Sequence, residues 1–306
     1  MRPARGYYVS ALRQELIARN HSYAAVNRLP HVTSYGEMPT VLYQPSACGR
    51  HHGNFMSASY AAIVRKPQWR RRLQKVHSHG RHLFPARDTS WRELDSSLSS
   101  DALLMNVFCY PGVTRRQELC GILGLGPGEA PEFGFMPRVP LLSQAVERTE
   151  IDMKLGDTLF EAKLTEADFQ SQRPELVEQY RDFAEVVECR RLPRARKNYV
   201  SYQLIRNILA AYALSLDFCT LLDARRPDLL DDWYGIVCCV RSADLRSRCK
   251  ILTWQELGAC LPRALRDFLD AEYGILPAGS MTRFPVHRPG IDFSYAPNRS
   301  ARRPIC

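Results

Sequence analysis

Two acidic residues and a lysine in the middle of the chain have a spacing that could support hydrolytic chemistry. Asp152 precedes Gly156-Asp157, and Glu161 and Lys163 follow on the other side of that dipeptide. Alternating runs flank the dipeptide, and a glycine at the first central position favours a two-residue type II′ hairpin turn. In that register Asp152 faces Glu161, and Lys163 lies two residues further along the same face.

Two carboxylates that face each other across a hairpin destabilise it, because directly opposed Cβ atoms are about 4.5–5.5 Å apart. A hard divalent cation held by carboxylate oxygens would offset that repulsion. The amine of Lys163 would then be within reach of a water molecule bound to the cation. Two acids and an amine around one metal ion are the groups needed to hydrolyse a phosphodiester bond.

The reverse face of the hairpin is apolar, with Leu159 the one apolar residue on the charged face. The core face consists of Ile151, Met153, Leu155, Phe160, Ala162 and Leu164. The alternative is a solvated polar face on an edge hairpin, in which Lys154 and Lys163 neutralise the acids. Lysine is scarce, six residues against 36 arginines, yet two of the six lie in this hairpin. A compact amine with a tunable pKa is therefore favoured over a general need for positive charge.

Asp152, followed on the next strand by Glu161-Ala162-Lys163, resembles the active-site motif of the PD-(D/E)XK nuclease superfamily. The similarity extends to a bacterial group of restriction-endonuclease-like proteins over residues 52 to 274, most clearly in segments 148–153, 160–166 and 202–207. The resemblance implies that Asp152 and Glu161, with the Ala162 carbonyl, bind Mg²⁺ or its substitute Mn²⁺, and that Lys163 orients or activates the attacking water. Ile151 stands where the strict motif has proline.

The same resemblance implies two further contributors to such a site. Members of the superfamily often supply an additional acid from before the first strand, and Glu118, Glu147 and Glu150 are the candidates here. Gln203, on a predicted helix from Tyr199 to Leu216, resembles the glutamine that some of these nucleases direct at the active site. An ordinary polar helix residue is the alternative for Gln203.

A basic segment precedes the predicted core. From Met38 to Arg87 there is no acidic residue and there are nine lysines or arginines. Trp69 and Tyr60 are interleaved with them, a composition suited to phosphate contact and base stacking. A solvated basic face with inward-facing aromatics is the alternative. The residues that we predict to bind nucleic acid are Arg70, Arg71, Arg72 and Lys75.

Composition limits the class and compartment of the protein. The net charge of +10 and the isoelectric point near 9.2 favour an anionic partner, which we expect to be DNA. The ten cysteines include no Cys-x-x-Cys pair and are expected to be reduced thiols of a cytoplasmic protein. The longest apolar stretch is too short to cross a bilayer, so no membrane partner is expected. A homodimer is a further possibility.

Strands that alternate with helices predict an α/β fold, in which a mixed central sheet flanked by helices forms a restriction-endonuclease-like core. The expected regions are a basic, partly helical segment at 1–87, the core at 88–275 and a Pro/Arg-rich tail at 276–306. Strands are expected at 185–192, 218–222 and 249–253, and a helix capped by Thr165. A module that binds nucleic acid without cutting it is the main alternative function. A sugar hydrolase with a carboxylate pair is disfavoured by the lysine and the basic charge.

Overall fold

The computed structural model describes residues 5–34, 38–46, 48–76 and 91–276. Three expectations fall outside these ranges. They are a helix that the capping-box pattern Ser90-Trp-Arg-Glu93 predicts, the surface or phosphate-facing position predicted for His77, His79 and His82, and the tail beyond residue 276.

Helices and strands alternate through most of the described chain. The α-helices are α1 Arg5–Val26, α2 Ser57–Arg65, α3 Pro67–Arg72, α4 Ser100–Phe108, α5 Gln117–Leu123, α6 Pro174–Val177, α7 Phe183–Val186, α8 Tyr202–Leu214, α9 Pro227–Val237, α10 Ala243–Arg248, α11 Trp254–Ala259 and α12 Arg263–Tyr273. The strands are β1 His31–Thr33, β2 Val41–Tyr43, β3 Glu132–Phe135, β4 Val139–Pro140, β5 Val146–Glu147, β6 Ile151–Leu155, β7 Thr158–Ala162, β8 Ser171–Gln172, β9 Arg194–Ala195, β10 Asn198–Val200, β11 Asp217–Leu222 and β12 Cys249–Thr253. No helix within the described ranges is long and apolar enough to span a membrane.

A five-stranded mixed sheet with the order β12-β11-β7-β6-β3 organises the fold. Strand β6 is antiparallel to β7 and β3, whereas β7, β11 and β12 are parallel. The β6–β7 pairs are Met153–Phe160, Lys154–Leu159 and Leu155–Thr158. The Gly156-Asp157 turn and the register of these three pairs are thus confirmed, and Gly156 has the positive φ of +55° that the turn requires. The predicted Asp152–Glu161 pair is not among the β6–β7 pairs.

Both faces of this sheet are buried. Helices α1, α4, α11 and α12 contribute to an apolar cluster with Met153, Leu155 and Phe160. Helices α8 and α9 contribute to a second cluster on the other side, which includes Leu159 and also Ile151. The prediction that Ile151 shares the core face of Met153 and Leu155 is wrong, because Ile151 packs in this second cluster. Leu159 is therefore a core residue of the second face. The alternative of a solvated edge hairpin is wrong, because β7 is the middle strand and has covered faces.

Two local predictions beside the sheet are wrong. Residues 185–192 form no strand: helix α7 ends at Val186, and the 183, 186, 187 spacing of buried apolar residues is helical. Thr165 caps no helix, because its hydroxyl donates to the carbonyl oxygen of Leu98 at 3.4 Å instead. Helix α8 begins at Tyr202 rather than Tyr199, after Ser201 takes a positive φ of +57°.

Candidate active site

The hairpin brings Asp152, Glu161 and Lys163 together at the end of β7. Lys163 Nζ donates a hydrogen bond of 2.7 Å to Glu161 Oε1, and the side chains of both residues are at most 5% exposed. Asp152 is half-buried, and its Oδ2 accepts a 2.8 Å hydrogen bond from the Ala162 amide. The Lys163 backbone is fixed on both sides by bonds to Leu221 and Trp254. The groups predicted from sequence are thus held close together by main-chain bonds.

Helix α8 supplies two polar residues that the sequence reasoning did not single out. Asn207 Nδ2 donates to Glu161 Oε2 at 2.8 Å, and Arg206 Nη2 lies 3.9 Å from the same oxygen. Arg206 Nε also donates to Asn207 Oδ1 at 3.0 Å, which fixes the orientation of the amide. Both residues are fully or almost fully buried, in a helix that is otherwise largely apolar. The sequence signal for these two residues was a pair of polar side chains within an otherwise apolar helix.

The surroundings of the site shift the pKa values of Asp152 and Glu161 in opposite directions. Burial acts to raise the pKa of Glu161, but Lys163 and Arg206 lower it below its ordinary value. Burial raises the pKa of Asp152 well above its ordinary value, and the negative charges of Glu161 and Asp101 raise it further. Burial acts to lower the pKa of Lys163, but Glu161 and other nearby carboxylates raise it overall. The resting site therefore holds a charged Glu161–Lys163 pair beside a carboxyl group that favours its proton.

An acid from a preceding helix does approach the site, and it is Asp101 in the first turn of α4. Asp101 is 3% exposed and accepts hydrogen bonds from Arg72 Nη2 at 2.9 Å and Lys75 Nζ at 2.6 Å. Its charge contributes to the raised pKa of Asp152. The signal in the sequence was an acidic residue immediately before the apolar run of α4, which tertiary contacts bury.

The three acids considered from sequence occupy different surroundings. Glu150 directly precedes β6 and accepts a 2.6 Å hydrogen bond from Arg72 Nη1. Glu147 accepts from the amide of Thr149, and burial raises its pKa. Glu118 lies exposed on α5, 3.6 Å from Arg116. Of these three, Glu150 is the one connected to the charge network around Asp101.

The predicted DNA-binding residues divide into two pairs. Arg70 and Arg71 are exposed on α3. Arg72 is buried between Asp101 and Glu150, and Lys75 bonds to Asp101 and lies 3.1 Å from Glu93. Gly134 of β3 leaves room for Arg72, since a Cβ at Gly134 would lie 2.6 Å from Arg72 Nη1.

The aromatic residues of the basic segment pack inward. Trp69 and Tyr60 are 8% and 5% exposed and belong to one apolar cluster. Trp69 Nε1 donates to the Pro131 carbonyl oxygen at 3.0 Å, and Lys66 Nζ lies 3.8 Å from the centre of its ring. The expectation that these rings stack on bases is therefore wrong, because the core covers them.

Gln203 lies one turn before Asn207 on α8 and is half-buried. Its Oε1 is buried, and no hydrogen-bond partner for it exists in the described part of the chain. A buried amide oxygen without a partner is costly, so it favours a water molecule or a ligand group nearby.

Asp152 and Glu161 are the side chains of the hairpin that could hold a cation. Across residues 5–34, 38–46, 48–76 and 91–276, no group of three His, Cys, Asp or Glu side chains is arranged to hold a metal ion. Asp152 and Glu161 form a carboxylate pair in which each negative charge opposes the other. A cation would relieve that repulsion, and the proton favoured on Asp152 would leave as it bound.

The mixed sheet, its flanking helices and the acid, acid and lysine on the β6–β7 hairpin define a restriction-endonuclease-like α/β protein. The chain belongs to the family REase-ARP, described as a restriction endonuclease associating with ARP, whose model matches residues 19–274. This match confirms the resemblance to restriction-endonuclease-like proteins. No curated protein and no solved structure matches the chain.

Proposed function

We propose that the protein is a Mg²⁺-dependent endonuclease that hydrolyses phosphodiester bonds in DNA. One observation carries the proposal: the buried Lys163–Glu161 pair, bonded at 2.7 Å, lies beside Asp152 on a single hairpin. Membership of a restriction-endonuclease family supports nuclease chemistry and DNA as the substrate.

Asp152 and Glu161 are the side chains that would hold Mg²⁺ or Mn²⁺, with the Ala162 carbonyl as a further ligand. The bound cation would polarise the scissile phosphate and lower the pKa of a water molecule. Glu161 is suited to this role because Lys163, Arg206 and Asn207 keep it ionised and oriented.

We assign to Lys163 the role of a positively charged hydrogen-bond donor in a fixed position. Its ammonium group stays charged, and the protein environment buries it next to Glu161. From that position it orients the attacking water and stabilises negative charge that develops on the phosphate, because a prearranged charge in a dry site costs no reorganisation. Gln203, whose buried oxygen lacks a partner in the described chain, accepts a hydrogen bond from that water or from a neighbouring one.

Arg70 and Arg71 are proposed to contact the DNA backbone, since both are exposed on α3. Arg72 and Lys75 from the same segment are paired with carboxylates, so we assign them to the connection between α3 and the site. Each exposed arginine would contribute a salt-dependent phosphate contact without sequence preference.

The test is cleavage of supercoiled plasmid by the wild-type protein with Mg²⁺, with Mn²⁺ and with EDTA. Nicking or linearisation that needs the metal is expected. Asp152→Asn, Glu161→Gln and Lys163→Ala should each abolish it while DNA binding persists. Glu118→Gln, which changes an exposed acid on α5, is the matched control and should cleave normally. Cleavage retained in all three site variants would refute the assignment.

One observation favours a second candidate, a protein that binds nucleic acid without cutting it. Both carboxylate oxygens of Glu161 already accept hydrogen bonds from Lys163 and Asn207. If these bonds persist, the acid is structural. A wild-type protein that binds duplex DNA but leaves it intact with both metals would support this candidate.

A further inference from the structure

A basic hairpin directly precedes the helix that lines the candidate site. Five of the eight residues from 190 to 197 are basic and none is acidic: Arg190, Arg191, Arg194, Arg196 and Lys197. All five are exposed. For Arg190, Arg196 and Lys197, no carboxylate partner is found in the described part of the chain. The segment therefore presents positive charge that its own surroundings do not neutralise.

The hairpin is short, and two of these charged residues form its loop. Strands β9 and β10 pair with Asn198 opposite Ala195, so Arg196-Lys197 form the two-residue loop. Its base is anchored: Arg194 Nη2 donates to the Tyr199 hydroxyl at 2.7 Å, and that hydroxyl donates to Glu178 at 2.7 Å. The tip residues have no comparable anchor among the described residues, so their side chains can reach outward.

The backbone at the tip is unfavourable for the residue that occupies it. Arg196 has a positive φ of +55°, a conformation that glycine and asparagine adopt at lower cost than arginine. Lys197 has no positive φ, and a two-residue hairpin loop of this kind favours glycine at its first position. The backbone conformation of the loop therefore does not by itself favour an arginine at this position.

The hairpin also lies close to the candidate chemistry along the chain. Strand β10 runs through Ser201 directly into α8, which carries Gln203, Arg206 and Asn207. An extended strand advances about 3.3 Å per residue, so Lys197 lies about 13 Å from Ser201. The major groove of duplex DNA admits a two-stranded ribbon of this kind.

We propose that the Arg190–Lys197 hairpin is a second DNA-binding element, which contacts the phosphates that flank a groove of duplex DNA next to the cleaved bond. The proposal rests on the proposed nuclease function for its choice of partner. Arg196 and Lys197 contact phosphate oxygens from the tip, and Arg190 and Arg191 contact them from the side. The contacts position the duplex and do not read its sequence.

The test is the double substitution Arg196→Gly with Lys197→Ser, which removes two charges and places glycine at the loop position that has a positive φ. Affinity for a labelled duplex is measured by fluorescence anisotropy in EDTA over a series of salt concentrations. The slope of log K against log salt should become shallower by about 2, since each phosphate contact contributes about 0.9. The thermal midpoint should stay the same or rise, because the substitution removes the backbone strain of a positive φ at position 196. If the loop only supports the fold and does not contact DNA, the slope of log K against log salt should not change.

Arg28→Gly is the matched control. Arg28 is also an exposed arginine at a positive φ, of +51°, just after α1. It should leave the slope unchanged. An unchanged slope in the double variant, with wild-type binding intact, overturns the hairpin proposal alone. Wild-type binding without metal-dependent cleavage overturns the nuclease proposal alone, and wild-type protein that does not bind duplex overturns both.

Discussion

Lys163 and Glu161 form a buried ion pair in which Lys163 Nζ and Glu161 Oε1 are 2.7 Å apart. Glu161 lies in β7, the middle strand of the central sheet, and Lys163 follows the end of that strand. Asn207 and Arg206 from α8 approach the other oxygen of Glu161. A buried pair of this kind is a poor source of stability, because removing two charges from water costs about as much as their attraction returns. Its retention at the centre of the fold is consistent with a functional role.

The first prediction concerns the stability of this pair. Lys163→Met should lower the free energy of unfolding by about 3–5 kcal/mol, because it leaves the charge of Glu161 buried without its closest partner. Adding Glu161→Gln should recover part of that loss, so that the two effects are not additive. Urea unfolding of the single and double variants measures the coupling. Lys154→Met is the control on the same hairpin, since Lys154 donates a hydrogen bond to the carbonyl oxygen of Gly156 and forms no ion pair among the described residues. Additive losses would contradict the account.

The second prediction separates neighbouring arginines of α3. Arg72→Ala should lower the free energy of unfolding by about 3 kcal/mol, because buried Asp101 loses one of its two cationic partners and its link to Glu150. Lys75 still contacts both acids. Arg71→Ala should change it by less than about 0.5 kcal/mol, because Arg71 is exposed, but it should weaken DNA binding. Denaturant unfolding and duplex binding of both variants provide the comparison. Equal effects of the two substitutions on stability would argue against the charge network.

Gly134 gives a third, independent test of the same network. Gly134→Ala should destabilise the fold, since the new Cβ would lie 2.6 Å from Arg72 Nη1 and Gly134 has a positive φ of +68°. Gly126→Ala is the control, because nothing lies within 4 Å of a Cβ at that position. Thermal unfolding of the two variants should separate them. Equal midpoints would show that Arg72 can move without cost.

The fourth prediction concerns pH and Glu272 of α12, which is fully buried. Both of its carboxylate oxygens lack a hydrogen-bond partner by geometry in the described chain, although the nearby Tyr43 hydroxyl acts to lower its pKa. Burial outweighs this and raises the pKa of Glu272 well above its ordinary value of about 4.3. The stability that its protonated form contributes is complete below that ordinary value and is lost as pH rises through the folded-state pKa.

Glu272→Gln keeps the shape and removes the titration. Its thermal midpoint should therefore increasingly exceed that of the wild type as pH is raised from 5 to 9, by an amount that one calorimetric series can measure. Glu118→Gln, at an exposed site, should show no such trend. A constant difference between Glu272→Gln and wild type at every pH would contradict the raised pKa.

The hairpin could be predicted from sequence because its information is local. Alternation over short runs and one glycine specify the turn, the register and which side chains share a face. Leu159 appeared to be a misfit only because the sequence does not show that helices cover both faces of the sheet. Strand β3 was missed inside a Pro/Gly-rich stretch, since its pairing with β6 depends on a partner far along the chain.

For the same physical reason, only part of the site could be predicted from the sequence. Asp152, Glu161 and Lys163 follow from one hairpin, whereas Asp101 and Asn207 reach the site only after α4 and α8 pack against the sheet. Arg72 and Lys75 looked like free charges because their acidic partners are distant in sequence. Tertiary contacts bring these side chains to their acidic partners, and the amino-acid composition does not show which charges will form pairs.

The most direct test of the central claim is the anomalous difference density of a crystal soaked in Mn²⁺. The account predicts one peak bonded to carboxylate oxygens of both Asp152 and Glu161, with Lys163 adjacent. The same soak of Asp152→Asn crystals should weaken or remove the peak. A fully ordered wild-type site that shows no peak, with Lys163 still bonded to Glu161, would contradict a shared cation at this hairpin.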